Sequence, residues 1–291
     1  MEGENQKKSF FKPHIGSLLA RVMFIFYFCL SNCAFVVKQA HEVAIYTLKI
    51  MTIGIINAMH KEHEQLVALL HDVHETPCGH LRFVEGRFGA LHLVLAESGI
   101  GKVNAAVGAV ELLRRYAPDA LVNTGVAGGL DAQVGVMHVV AGQRVAYHDV
   151  DCGPEAEHGQ VQGLPLYFEA DAQLLQAALQ TQTDTPLHSG LICSGDQFIT
   201  DKAELHRIKT AYPEALAVDM ESAAIAQVCH LYGVPFLSFR IISDTPGADN
   251  HFDQYLDFWS TMAHKSFGVT RALLQHLAAM AEGAGSTASS L

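Results

Sequence analysis

From residue 52 onward, short apolar or β-branched runs alternate with stretches of helical periodicity, and this alternation limits the possible folds more than any other feature. Strand-like runs cover 52–57, 81–87, 91–97, 120–126, 136–146, 189–194, 215–219 and 235–242. Most are bounded by Gly, Pro or Asp, as strands buried on both faces are. Helical periodicity covers 60–71, 102–116, 171–181, 202–210, 221–232 and 253–281, several of these opening after turn or cap residues. The pattern implies an α/β fold, a three-layer sandwich with a central mixed β-sheet flanked by helices. Two adjacent runs meeting at Gly89 read as a hairpin, so the sheet is not expected to be all parallel.

Composition narrows the function. The 291 residues are 49% hydrophobic and 17% charged, enough to bury a large core in one domain with a small appendage. Nineteen Lys and Arg against 30 Asp and Glu give a net charge of -11, and no basic stripe interleaved with aromatics follows residue 50, which argues against nucleic acid as a ligand. The six cysteines are scattered without a framework spacing, so reduced thiols are expected in place of a disulfide scaffold. Seventeen histidines include no HExxH pair, and His60 and His63 flanking Glu62 are weak grounds for a metal site, so none is expected.

The first fifty residues differ from the rest. Lys7, Lys8 and Lys12 precede the apolar run Val22 to Leu30, a layout like that of an export signal. The run is too short to span a bilayer comfortably, and Leu30-Ser31-Asn32-Cys33 is a poor lipoprotein box. Two readings follow. In the first, 1–50 is an extension upstream of the working start at Met51, and the protein is cytoplasmic. In the second, 16–37 exports the protein or anchors it to a membrane. The Ala/Gly/Ser-rich stretch 283–291 reads as a flexible tail.

Several loops at strand ends carry candidate chemistry. Ser98-Gly99-Ile100-Gly101-Lys102 opens a helix and offers backbone amides to an anion or hydroxyl, or forms only a tight turn. It is not a P-loop, since Val103 stands where Ser or Thr would hold magnesium. The glycines of Asn123-Thr124-Gly125-Val126-Ala127-Gly128-Gly129 serve either a turn or close approach to a ligand. Phe198, in Ser194-Gly195-Asp196-Gln197-Phe198-Ile199, offers a stacking face for a heterocycle or packs in the core. Glu221, where a strand meets a helix, and Asp244, at the end of an apolar run, can point into one crevice at the carboxyl edge of the sheet. The alternatives are a helix cap for Asp244, a helix-dipole partner for Glu221 and a solvated helix face for Glu62.

Together these segments resemble a known family. GIINAMHKE at 54–62, SGIGKVNAA at 98–106, NTGVAGGL at 123–130, YHD at 147–149, SGDQFI at 194–199, VDMES at 218–222 and RIISD at 240–244 stand in the order found in bacterial 5′-methylthioadenosine/S-adenosylhomocysteine nucleosidases. The resemblance runs from Met51 to about residue 280, which makes 51–282 a nucleosidase domain. It implies a nucleoside phosphorylase-like fold and hydrolysis of methylthioadenosine, S-adenosylhomocysteine and 5′-deoxyadenosine to adenine and the ribose. No cofactor is implied, and the expected assembly is a homodimer.

By motif position, Glu62 resembles the carboxylate that activates water, with Ser98 and Arg240 near it. Asp244 resembles the acid that protonates adenine N7, supported by Ser243. Glu221 resembles the acceptor of the ribose hydroxyls, with Met220 beneath the sugar, and Ser98 and Gly101 are counted among the substrate-binding residues. Phe198 resembles the aromatic that stacks on the base, and the backbone of Ile199 its reader. The physics agrees: splitting an N-glycosidic bond requires a proton for the departing base and a positioned water on the opposite sugar face, work for two carboxylates in different environments.

The sequence departs from the family pattern at Asn57, His60, Lys61, Val126 and Asp219, and Thr245 to His251 reads as a shortened loop. Rival readings are a 6-amino-6-deoxyfutalosine hydrolase and a phosphate-dependent purine nucleoside phosphorylase, for which Lys102 and Arg240 are the only nominees to hold phosphate. From another class, a membrane-tethered binder of polysaccharide is disfavoured by the acidic balance.

Overall fold

Strand β1 (Thr52–Asn57) is buried along nearly its whole length because its two faces meet two different apolar cores. Ile53 and Ile55 point to one core and Ile56 to the other, and Leu93, Leu95 against Val94, Ala96 in β4 (Leu91–Glu97) repeat the division. A strand covered on both faces reads as a continuous hydrophobic run, as these do. The structure is a computed structural model that describes residues 51–245 and 250–288. The two readings of 1–50 and the expected shortening of the loop after Thr245 lie outside the described residues.

The first core is closed by α2 (Lys102–Tyr116), through Ala105, Ala109 and Leu112, and by α5 (Ser222–Tyr232), through Ala223, Ile225 and Val228. The second is closed by α1 (His60–Val67), α3 (Ala172–Leu179) and α7 (Ala263–Ala288), which contribute Leu66, Leu174 and Leu273 among others. A third, smaller cluster places Ile208 of α4 (Lys202–Ala211) and the adjoining Tyr212 against Leu191 and Cys193. Helices therefore cover both faces of a mixed sheet, as the alternation predicts.

The sheet has ten strands. β5 (Ala120–Gly129) runs parallel to β1 on one side and to β10 (Phe236–Asp244) on the other. β10 pairs antiparallel with β6 (Val139–Tyr147), which pairs parallel with β8 (Leu187–Ser194), which in turn pairs parallel with β9 (Ala215–Asp219). β9 then returns to the end of β5 at Gly128 and Gly129, so this half of the sheet closes on itself. The other half stays open as β1, β4, β3 (Leu81–Phe88) and β2 (His71–Cys78), with the expected hairpin joining β3 to β4. A two-residue β7 (Phe168–Glu169) pairs with β6.

Three boundaries differ from the sequence reading. The helix expected over 60–71 stops at Val67, and the polar segment after it is strand β2. This is an exposed edge carrying Pro77, charged side chains and a break in register between His71 and His74, all devices that protect an unpaired strand edge. The helix expected over 253–281 is divided into α6 (His251–Asp257), a π-helical turn (Phe258–Met262) and α7. α7 continues to Ala288, into the stretch expected to be a tail.

Candidate active site

Glu62 is the third residue of α1, a position from which a carboxylate reaches back to the free amides at the helix start. Its Oε2 accepts the Ala58 and Met59 N–H groups at 3.1 and 3.0 Å, and its Oε1 accepts the Val126 N–H at 3.1 Å. Only 1% of Glu62 is exposed, so the solvated-face alternative is ruled out. The glycine that permits this is Gly125. A Cβ built there lies 2.6 Å from Glu62 Oε1 and 2.8 Å from Arg240 Nη1, so the strand passes beside both groups only because it carries no side chain.

Arg240, in the middle of β10, is 1% exposed. A cation buried so fully requires a partner, and Asp219 at the end of β9 supplies one at 2.8 Å. The guanidinium also donates to Asn123 Oδ1 and to Ser222 Oγ, the latter 3.3 Å from Nε. Asp219 Oδ1 also accepts Ser194 Oγ at 2.5 Å and the Ser222 N–H at 3.2 Å.

Glu221 occupies the N-cap of α5 without capping it: its Oε1 accepts the Gly101 N–H at 2.9 Å, and its Oε2 lies 3.6 Å from Arg240 Nη2. Asp244 ends β10 and accepts Ser243 Oγ at 2.7 Å, so it is a buried strand-end carboxyl and not a helix cap. One cavity with an empty volume of about 640 Å³ is lined by Glu62, Asp219, Glu221, Arg240, Ser243 and Asp244 together with Phe198, Ile199, Met220 and Tyr255. Phe198 is half exposed, its ring 5.5 Å from that of Tyr255 in an edge-to-face pair.

Ser98 and Gly101 do not line this cavity. Ser98 Oγ turns to the Gly99 carbonyl at 2.9 Å, and Gly101 acts one step back, through its N–H on Glu221. His60 and His63 also lie apart: His60 faces Glu97 and Glu64, and His63 faces Asn57. Among the described residues, no group of three or more His, Cys, Asp or Glu is arranged to hold a metal ion.

The model of the phosphorylase superfamily matches residues 52–275. A 5′-methylthioadenosine/S-adenosylhomocysteine nucleosidase of Anoxybacillus flavithermus is 41% identical over 212 residues, 71% of this chain and 91% of that protein. One of Glaesserella parasuis is 39% identical over 233 residues, covering 78% and 100%. The Neisseria meningitidis nucleosidase in complex with methylthio-immucillin-A superposes with a TM-score of 0.72 at 37% identity, over 77% of this chain and 98% of that one. The Colwellia psychrerythraea nucleosidase in complex with adenine gives 0.73 at 34%, over 79% and 96%. The chain belongs to the 5′-methylthioadenosine/S-adenosylhomocysteine nucleosidase family.

Within this nucleosidase cavity the carboxyl groups are not equivalent. Burial pushes the Glu62 carboxyl up from its ordinary value, opposed by the Arg240 charge and by three N–H donors. Burial also pushes Glu221 up, opposed by Arg240 and reinforced by the nearby Asp219. Sequence reasoning notes Asp219 only as a departure from the family pattern, yet it anchors the buried guanidinium. Tyr255 is missed as well. The available signal is the aromatic clustering of Phe252, Tyr255, Phe258 and Trp259 just beyond Asp244.

Proposed function

We propose that this chain hydrolyses the N-glycosidic bond of 5′-methylthioadenosine and S-adenosylhomocysteine, and of 5′-deoxyadenosine, releasing adenine and the ribose. The reaction serves methionine salvage and the recycling of S-adenosylmethionine by-products. The observation that carries this reading is the meeting of Glu62, Glu221 and Asp244, from three distant segments, around one cavity that also holds Phe198. Glu62, fixed by three amides beside Arg240, accepts a proton from the attacking water. Asp244, steadied by Ser243, donates toward the departing base, which stacks on Phe198 and meets the backbone at Ile199. Glu221 accepts the ribose hydroxyls above Met220. Each of the two proton transfers contributes roughly 10²- to 10⁴-fold.

Water is favoured over phosphate as nucleophile because the cations are already engaged. Among the described residues, Arg240 is the one Lys or Arg lining the cavity, and it is paired with Asp219, while the ammonium of Lys102 is held by Asp149 at 2.8 Å. The assay is incubation with methylthioadenosine with and without inorganic phosphate. Methylthioribose in both samples is the expected product, and strict dependence on phosphate, with methylthioribose 1-phosphate formed, overturns the reading.

The protein is further proposed to work as a homodimer in the cytoplasm. Ile100 lines the cavity, and beside it on α2 Val103 is 74% exposed and Val107 is partly exposed, an apolar strip suited to a second copy. Among the described residues, no helix is long and apolar enough to cross a membrane.

A further inference from the structure

Two loops that contribute residues to the cavity, those of Ile100 and of Phe198, are joined through a third by side chains lying outside it. Lys102 Nζ donates to both oxygens of Asp149 at 2.8 Å. Asp149 Oδ2 accepts the Asp196 N–H at 2.9 Å, and Asp196 Oδ1 accepts the Lys102 N–H at 2.8 Å, which closes a ring of hydrogen bonds. The Lys102 ammonium also lies over the Tyr147 ring, 5.4 Å from its centre. Lys102 and Asp149 are 22% and 19% exposed, so solvent screens their attraction less than it would at a free surface.

The geometry around this ring leaves little freedom. A Cβ on Gly101 would stand 3.0 Å from Asp196 Oδ1. On Gly195 it would stand 2.4 Å from the buried His148 ring and 2.9 Å from the Asp149 carboxyl carbon. Two of the three members adjoin groups that set or line the cavity. Gly101, before Lys102, donates to Glu221, while Gln197, Phe198 and Ile199, after Asp196, line the cavity directly. The ring therefore ties the loop that sets Glu221 to the loop that presents the aromatic face, with the loop after β6 as the bridge.

We propose that Lys102, Asp149 and Asp196 form a positioning clasp that sets the spacing between the sugar-binding and base-binding loops without touching substrate. The proposal rests on the nucleosidase reading for what the two loops bind. In a reaction at the bond joining sugar to base, an error in that spacing falls on the reacting atoms. The cost then appears in the chemical step more than in affinity.

The test uses the full chain with Asp149→Asn, which keeps the shape and removes the charge, and Lys102→Met, which keeps most of the length and removes the ammonium. Thermal unfolding of each variant shows that the material assayed is folded. The expected result is a fall in kcat for methylthioadenosine of about 100-fold with KM changed less than about threefold. The double variant loses no more than either single one, because both break the same ring. The affinity for free adenine, which touches only one of the tied loops, stays at the wild-type value.

Hydrogen exchange gives a readout independent of activity. Amides of 99–104 and 194–199 exchange faster in both variants than in wild type. Unchanged exchange in these segments overturns the clasp whatever the activity, and so does a loss confined to KM or shared equally by adenine binding. A wild-type protein that releases no adenine overturns the nucleosidase reading instead, and the clasp is then judged by exchange alone.

Discussion

Gly125 offers the most direct test of the proposed water-activating role of Glu62 and Arg240. A Cβ at this position meets Glu62 Oε1 at 2.6 Å, Arg240 Nη1 at 2.8 Å and the Glu62 carboxyl carbon at 3.1 Å. Restoring ordinary contact, 3.4 Å or more, moves the Glu62 oxygen by about 0.8 Å and the Arg240 nitrogen by about 0.6 Å. Such shifts are cheap at the free end of an exposed side chain. Here Glu62 is fixed by three backbone amides and Arg240 by Asp219, so neither yields without breaking a buried interaction. The φ of 148° adds backbone strain for any L side chain. Gly125→Ala is thus expected to cost about 1–3 kcal/mol in stability through overpacking. A displacement approaching 1 Å at the water-activating groups is expected to cost about 10²-fold in kcat. Initial rates of adenine release, measured beside urea unfolding, report both quantities. Gly135→Ala is the control, since a Cβ there meets nothing nearer than 3.7 Å. A Gly125→Ala protein with wild-type kcat and an unchanged unfolding midpoint refutes the assignment of Glu62 and Arg240 to one tightly packed water site.

Asp219→Asn breaks the buried pair with Arg240 and removes the nearest counter-charge of the guanidinium, so unfolding in urea should show a loss of about 3–5 kcal/mol. A loss below about 1 kcal/mol, the scale of an exposed pair, contradicts the buried assignment. Because Glu62 must be ionised to accept a proton and burial raises its pKa, the acid limb of kcat/KM should lie above the ordinary carboxylate range of 4.5, and a limb at or below it contradicts the role. Glu221 carries the same sign: with its folded pKa raised, the folded chain holds a proton that the unfolded chain has released, so its stabilisation is complete below 4.5 and is lost as pH rises through the raised value. Glu221→Gln should flatten that fall in a series of thermal unfolding curves, and an unaltered slope counts against it.

Much of the fold was legible in residues 52–57, 91–97 and 236–244 because strands covered on both faces are predominantly apolar, with few polar positions interrupting the run. β2 was not, since its sequence, HDVHETPC, lies at an exposed edge and carries no apolar pattern. Closure of the sheet was equally hidden: it depends on β9 meeting only the last two residues of β5, a tertiary pairing that no local pattern encodes. In the site, the motifs pointed to Glu62, Glu221 and Asp244, each of which stands at the end of an element that the local pattern shows. They did not reveal that Asp219 holds Arg240 or that Gly125 makes room for both Glu62 and Arg240, because those relations join segments distant along the chain. Ser98 shows the converse, a motif residue whose hydroxyl faces backbone carbonyls and not the cavity.

The charge of the cavity bears on which nucleophile it accepts. Among the described residues, four carboxyl groups, Glu62, Asp219, Glu221 and Asp244, line it against the single guanidinium of Arg240, and all five are buried. Asp219 and Arg240 cancel at 2.8 Å, which leaves three carboxyl groups around one cleft. Burial raises the pKa of both the Glu62 and the Glu221 carboxyl, so the protonated form of each is favoured more than it is in water. What separates their roles is the donors around them: three amides on Glu62, one on Glu221, and a serine hydroxyl on Asp244. A carboxylate in such a cleft favours a sugar that becomes cationic as the base departs. A phosphate nucleophile would bring its own negative charge to the same cleft. At 4 Å and an effective dielectric near 20, each uncompensated pair of unit charges costs about 4 kcal/mol, a penalty that neutral water does not meet.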